Sequence, residues 1–224
     1  MGILNNSALK KIESSKTLLS AYHLYQDLTG NAGTGSVNHE RKLVFVHNPK
    51  VAGTSFRDLL GLKGNVSHLT PGLLVNKKIW KKYFVIVAVR EPLERFVSSY
   101  NYHTADRYDG FYLKKYPDMK LWSIEKYFEI FSREPFGIIP QVNYLRHPLS
   151  PKKPNFIVRY ESLDRDVNRL AALLKLDGQV LPRLNDSKKK TDRNQLPADR
   201  KFRSKLIEFY REDYVELGYP LPNV

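Results

Sequence analysis

The sequence predicts an α/β fold, a three-layer α/β/α arrangement around a central parallel sheet, and three observations predict it. Two segments share one build, an apolar run that passes through a short basic loop into a helix: Leu43–Phe56 around Lys50, and Tyr83–Ser99 around Arg90. A third apolar run, Asn155–Tyr160, is followed by Leu163, Val167, Leu170 and Leu174 at helical spacing. Strands that alternate with helices in this way pack as a parallel sheet with both faces covered.

Taken in order, residues 3–28 carry apolar side chains at helical spacing (Leu9, Ile12, Leu18, Leu19, Tyr22, Tyr25). The glycine-rich stretch Thr29–Ser36 then breaks the pattern. No strong strand precedes that stretch and no Gly-Lys-Ser/Thr lies within it, so it reads as a linker and not as a phosphate loop. Residues 1–40 are therefore expected to be an N-terminal helix and linker, and residues 41–224 the main domain. The domain's elements are a strand over 43–47, a helix from about Thr54, a strand over 83–89 and a helix from about Leu93. The helix after the third strand is expected to stop at Gly178, where glycine favours a C-terminus. Residues 104–154 interrupt the alternation with aromatics, prolines and one short amphipathic helix (Ile124, Phe128, Phe131). An insertion leaving the carboxyl side of a strand is a frequent place for a substrate site. A last helix aligns Phe202, Leu206, Phe209, Tyr210 and Leu217 and stops at Gly218, before Pro220.

With 224 residues, 42% of them hydrophobic and 27% charged, one sizeable core is the expected outcome. The 37 Lys and Arg against 23 Asp and Glu leave a net charge of +14, which favours anionic partners: nucleic acid, an acidic polysaccharide or an anionic cofactor. The absence of cysteine excludes disulfides and thiolate chemistry and suits a reducing compartment. No segment approaches the ~20 apolar residues of a membrane span, and no signal-peptide pattern opens the chain. The expectation is a soluble cytoplasmic protein, with its oligomeric state open.

The two similar segments carry the chemistry. A strand feeding a turn at a helix N-terminus is an anion site, because unpaired N–H groups and the helix dipole converge there. With Lys50 in one turn and Arg90 opening the other, the pair suits a ligand that has two separate anionic groups.

The motif Pro49-Lys50-Val51-Ala52-Gly53-Thr54-Ser55 has one glycine and a lysine before the turn, which sets it apart from a Walker A sequence. It resembles the 5′-phosphosulfate loop of sulfotransferases. Arg90-Glu91-Pro92-Leu93-Glu94-Arg95-Phe96-Val97-Ser98 resembles the same family's 3′-phosphate motif, with Glu91 where Asp or Asn is usual. The likeness is to the carbohydrate branch, the Golgi chondroitin, dermatan and HNK-1 type and its bacterial relatives, and extends from about Lys42 to Gly218. Golgi members carry a membrane anchor and usually cysteines; this sequence has no cysteine, and no anchor is expected.

The resemblance implies a core like that of P-loop kinases and the donor 3′-phosphoadenosine 5′-phosphosulfate. A sulfuryl group would pass from it in line to an acceptor hydroxyl, with no metal ion. Such transfer needs positioning and a cation beside the leaving oxygen. Lys50 is the candidate for that cation, and Val51, Ala52, Gly53, Thr54 and Ser55 would hold the 5′-phosphate. Arg90 and Ser98 would hold the 3′-phosphate. An ion pair of Arg90 with Glu91 or Glu94 and an ordinary helix role for Ser98 are the alternatives, and Arg95 suits intrahelical pairing equally well. Tyr160 resembles an adenine-contacting tyrosine, and Ser187, Lys188 and Lys189 resemble a late basic loop that closes over the donor.

An attacking alcohol must lose a proton, which histidine accepts best near neutral pH. His68, between the two donor motifs, lies in a His-Leu-Thr stretch similar to one in bacterial members, and is the candidate base. The alternative is a loop histidine that caps the helix starting near Pro71. His47 is expected to position the first loop. His103, Gln141 and Tyr144 are candidate acceptor contacts. The acceptor is expected to be a saccharide or glycoconjugate, anionic ones included, and not nucleic acid. Two competing readings stand beside this one: a nucleotide or small-molecule kinase of the same fold, whose glycine-lysine loop and Mg²⁺-binding strand aspartate this sequence lacks, and a non-enzymatic polyanion-binding module.

Overall fold

The structure is a computed structural model and describes residues 6–29, 35–51, 59–63, 67–134, 137–176 and 199–223. The chain forms two compact units, residues 1–89 with 143–185 and residues 90–142 with 186–224.

The first unit holds a mixed, mostly parallel four-stranded sheet in the order β1 (Val37–Asn38), β2 (Leu43–Val46), β3 (Phe84–Val89) and β4 (Phe156–Arg159). β2, β3 and β4 run parallel, with Val44 opposite Val85 and Ile86 opposite Phe156. Every residue of β2 and all but the first of β3 are buried, as expected of near-continuous apolar strands covered on both faces. β1 pairs antiparallel with β2 through Val37 and Asn38. Two residues are too few to show an alternation, so this strand is not visible in the sequence. Leu43, Phe45, Val51, Leu60, Ile86, Val158, Val167 and Leu170 belong to one buried cluster in this unit.

The N-terminal segment divides at Ser15 into α1 (Asn6–Ser14) and α2 (Lys16–Thr29). These helices grip the segment that carries α3 (Pro71–Leu74) and leads to α4 (Lys77–Lys82). The His23 Nε2 lies 2.7 Å from the Gly72 carbonyl oxygen, and the Gln26 amide donates to Leu73 O at 3.1 Å. Side-chain pairs Thr70–Glu13 and Asn76–Asp27 complete the grip. After β4 the chain turns through Tyr160–Ser162 into α8 (Leu163–Leu173). α8 stops short of the expected Gly178, which lies outside the described residues. Lys175 adopts a left-handed φ of 51°. Its N–H bonds Ala172 O at 3.2 Å while Leu176 N–H bonds Ala171 O at 2.9 Å. That is a Schellman stop with lysine in the usual glycine position and the buried Leu176 behind it.

The second unit is helical: α5 (Pro92–Thr104), α6 (Phe111–Lys115), α7 (Ile124–Phe131), α9 (Arg200–Phe209) and α10 (Arg211–Leu217). Its core gathers Phe96, Trp122, Tyr127, Phe128, Phe131, Phe202, Leu206, Tyr210 and Tyr214. The stretch 104–154 expected as an insertion thus contributes helices to this packed unit. The expected single C-terminal helix breaks at Tyr210, whose buried hydroxyl donates to Ile138 O at 2.8 Å. α10 does end at Gly218, with φ 65°.

Candidate active site

In the first unit, β2 delivers His47, Asn48, Pro49 and Lys50 at its carboxyl end. The buried Asn48 side chain donates to Ala88 O on β3 at 3.4 Å, which ties the start of the loop to the neighbouring strand. Lys50 adopts φ 68°, a left-handed conformation that a residue with a Cβ takes only where its surroundings enforce it. Val51 is fully buried, so its side chain serves the core and leaves only its backbone for a ligand. Ala52, Gly53, Thr54 and Ser55 lie outside the described residues, as do Ser187, Lys188 and Lys189.

The His68 ring lies 4.4 Å, centroid to centroid, from that of His47. The Nδ1 of His68 is 3.1 Å from the carbonyl oxygen of His47. A carbonyl oxygen only accepts, so Nδ1 carries the hydrogen and the lone pair of the neutral ring is on Nε2. Desolvation is the largest influence on His68 and lowers its pKa; the hydrogen bond to His47 opposes this and the Lys50 charge adds to it, leaving a net lowering. Burial, with a smaller contribution from His68, drives His47 down to about 3. His47 therefore stays neutral, and its buried Nδ1 has no hydrogen-bond partner among the described residues. The capping role weighed for His68 is not seen: the N-cap of α3 is Thr70, without a side-chain cap bond.

In the second unit, Arg90 opens α5 and its Nη2 pairs with Glu94 Oε2 at 3.3 Å. The expected open N-terminus of α5 is corrected by Glu91. One of its carboxylate oxygens accepts from Glu94 N–H at 2.6 Å and the other from the Tyr214 hydroxyl at 2.5 Å. Glu91 is the N-cap of α5 and its own carboxylate occupies the helix end. An anion here would rely on side chains such as Arg90 and the partly buried Ser98. Arg95 is buried, donates to Ile139 O at 2.6 Å and lies 5.7 Å from the centre of the Tyr210 ring.

Two expected acceptor contacts are corrected by burial. Gln141 is fully buried and its side-chain amide is spent on Arg90: Oε1 accepts from Arg90 N–H at 2.9 Å and Nε2 donates to Arg90 O at 2.7 Å. Tyr144, fully buried in the first unit, exposes no surface to a substrate. His103 is partly buried, and its Nδ1 lies 2.8 Å from the Tyr127 hydroxyl, with Tyr108, Tyr112 and Phe131 around the ring. Tyr160 is partly buried at the turn that leaves β4.

Asp213 went unnoticed in the sequence. It is fully buried on α10, and its carboxylate accepts from Gln141 N–H at 2.8 Å and from Val142 N–H at 2.9 Å. Desolvation raises its pKa, against the lowering effects of Arg95 and these hydrogen bonds. Among the described residues no group of three or more His, Asp or Glu is placed to hold a metal ion, and no helix is long and apolar enough to cross a membrane.

The sulfotransferase family matches residues 36–220 of this chain. Carbohydrate sulfotransferase 11 of Rattus norvegicus is 23% identical over 240 aligned positions, which cover 84% of this chain and 67% of that protein. The protein of the same name from Mus musculus is similar to the same extent. No solved structure matches at a significant level. The matched span takes in all four strands, both basic loops and the helices of the second unit. This chain therefore belongs to the sulfotransferase family, enzymes that take a sulfuryl group from 3′-phosphoadenosine 5′-phosphosulfate.

Proposed function

We propose that this enzyme sulfates a hydroxyl group of a carbohydrate, with Lys50 on the leaving oxygen and His68 as the base. The observation that carries the reading is the grouping of Lys50, His47 and His68 at the carboxyl end of β2. A cation in a left-handed turn stands near a neutral imidazole whose Nε2 lone pair is left for a proton.

The donor supplies a sulfuryl group on a 5′-phosphate leaving group and a separate 3′-phosphate. The residues fit that chemistry: Lys50 offers an ammonium after β2, and Arg90 offers a guanidinium after β3. His68 takes the acceptor's proton on Nε2 as the acceptor oxygen bonds to sulfur. The bond from sulfur to the bridging oxygen breaks in the same displacement, and Lys50 stabilises the charge left on adenosine 3′,5′-bisphosphate. Ala52, Gly53, Thr54 and Ser55 would cradle the 5′-phosphate, Ser98 would join Arg90 on the 3′-phosphate, and Tyr160 with Ser187, Lys188 and Lys189 would complete the donor site. A three-layer α/β/α core over residues 41–224, preceded by the N-terminal helices and linker, is the finer architecture that suits this reading.

The carbohydrate acceptor rests on the name of the rodent relatives and on the basic surface implied by a net charge of +14. His103 is the remaining expected acceptor contact. Donor turnover against a panel of polysaccharides, glycolipids and phenols tests this. Saccharide sulfation is the expected result; turnover of phenols with no saccharide sulfated would overturn the acceptor assignment.

A further inference from the structure

We propose that Gln141 and Asp213 are positioning residues for the donor's 3′-phosphate, acting in sequence through the backbone of Arg90. The proposal rests on the reading that Arg90 binds that phosphate, and all the groups concerned lie in the second unit.

The geometry is a two-step clamp. Gln141 closes on Arg90 from both sides of its Cα, accepting from its N–H and donating to its carbonyl. A primary amide is the side-chain group that offers an acceptor and a donor together with no net charge. Asp213 in turn fixes Gln141, one carboxylate oxygen on the Gln141 N–H and the other on the next N–H in the chain. The strip that carries Gln141 is pinned twice more, by the Tyr210 hydroxyl on Ile138 O at 2.8 Å and by Arg95 Nη2 on Ile139 O at 2.6 Å.

Burial makes the arrangement costly, which argues for a purpose beyond packing. Gln141 and Asp213 are both 0% exposed. A buried carboxylate is disfavoured unless a charge and hydrogen bonds compensate it, and here Arg95 and two N–H groups offset only part of the desolvation. What the cost secures is the backbone of one residue, Arg90. A guanidinium at the end of a long side chain moves by ångströms when its backbone turns, and bidentate recognition of a phosphate fails at such displacements. Glu94, paired with the Arg90 guanidinium, sets its direction from the side-chain end.

The test compares binding of adenosine 3′,5′-bisphosphate with that of adenosine 5′-monophosphate, which lacks the 3′-phosphate, by calorimetry on the whole chain. Gln141→Met has nearly the same shape but loses both hydrogen bonds. It is expected to reduce the preference for the bisphosphate at least about tenfold, with monophosphate affinity changed by less than about twofold. Asp213→Asn, which puts an amide donor against one of the two N–H groups, is expected to give a smaller loss of the same kind, and it serves if Gln141→Met does not fold. Arg90→Ala provides the reference. If Arg90→Ala loses the preference while Gln141→Met or Asp213→Asn keeps it, the positioning role is overturned and the donor reading stands. If Arg90→Ala keeps the preference, the donor reading itself fails. An equal loss of affinity for both nucleotides would mark a merely structural role and would also overturn the proposal.

Discussion

The Nδ1 of His68 lies 3.1 Å from the carbonyl oxygen of His47, and this one bond decides which nitrogen can act as a base. The hydrogen stays on Nδ1 and the lone pair on Nε2. The rings lie 4.4 Å apart, so protonating either imidazole disfavours protonating the other. With His47 held down to about 3, His68 is the member of the pair that titrates first as the pH falls.

The pH dependence of turnover should therefore fall off on the acid side with a midpoint below the ordinary histidine value of 6.5. Removing the Lys50 charge should raise the His68 pKa, because that charge lowers it in the folded protein. Nuclear magnetic resonance titration of the ring in Lys50→Met checks the second point, and an unshifted or lowered value would contradict it. His68→Ala should lower kcat by about 10²–10⁴-fold with donor affinity nearly unchanged. Weakened donor binding at normal turnover would remove His68 as the base.

Lys50→Ala should lower kcat by about 10²–10³-fold, the usual loss when one group that stabilises transition-state charge is removed. The melting temperature should move little, since alanine at this position inherits the same left-handed backbone. Sulfate transfer at the wild-type rate in this variant would contradict the assignment of the leaving-group cation.

His147 links stability to pH. It is 3% exposed; its Nε2 lies 3.0 Å from Val75 O and its Nδ1 accepts from Leu149 N–H at 3.1 Å. Both nitrogens are satisfied in the neutral ring, and burial leads the effects that bring its pKa down to about 4. The unfolded chain binds this proton from about 6.5 downward while the folded protein does not, so stability is lost as pH falls from about 6.5 toward 4. By pH 5 the loss from this residue is about 2 kcal/mol. Urea unfolding of wild type and His147→Gln at pH 7.5 and pH 5 isolates it: the variant should lose less stability between the two pH values.

Gly218→Ala tests a backbone effect alone. The residue sits at φ 65°, and an added Cβ would meet no atom within 4 Å. The expected cost is about 1–2 kcal/mol, the strain of a left-handed residue with a side chain. Unchanged thermal stability would show that the end of α10 does not contribute to the fold's stability.

The strands β2, β3 and β4 and their parallel order were legible in the sequence because long apolar runs that alternate with helical spacing can bury both faces in few other ways. The two basic loops after β2 and β3 were legible too, since each is a short stretch whose character follows from adjacent residues. Family membership then set aside the kinase and the polyanion-binding module.

What the sequence could not supply depends on residues far apart in the chain. Nothing near Asp213 announces that its carboxylate holds Gln141, 72 residues away, and nothing near Gln141 announces that its amide clamps Arg90 rather than meeting an acceptor. Glu91 looked like a mild departure from a motif, yet its reach to both Glu94 N–H and Tyr214 closes the N-terminus of α5. The sequence by itself determined the three parallel strands and offered Lys50, His68 and Arg90 as candidates, because apolar periodicity and local motifs are properties of neighbouring residues. Only the tertiary structure decided which nitrogen of His68 carries the hydrogen and what holds Arg90, because hydrogen bonds and desolvation depend on the groups that folding brings together.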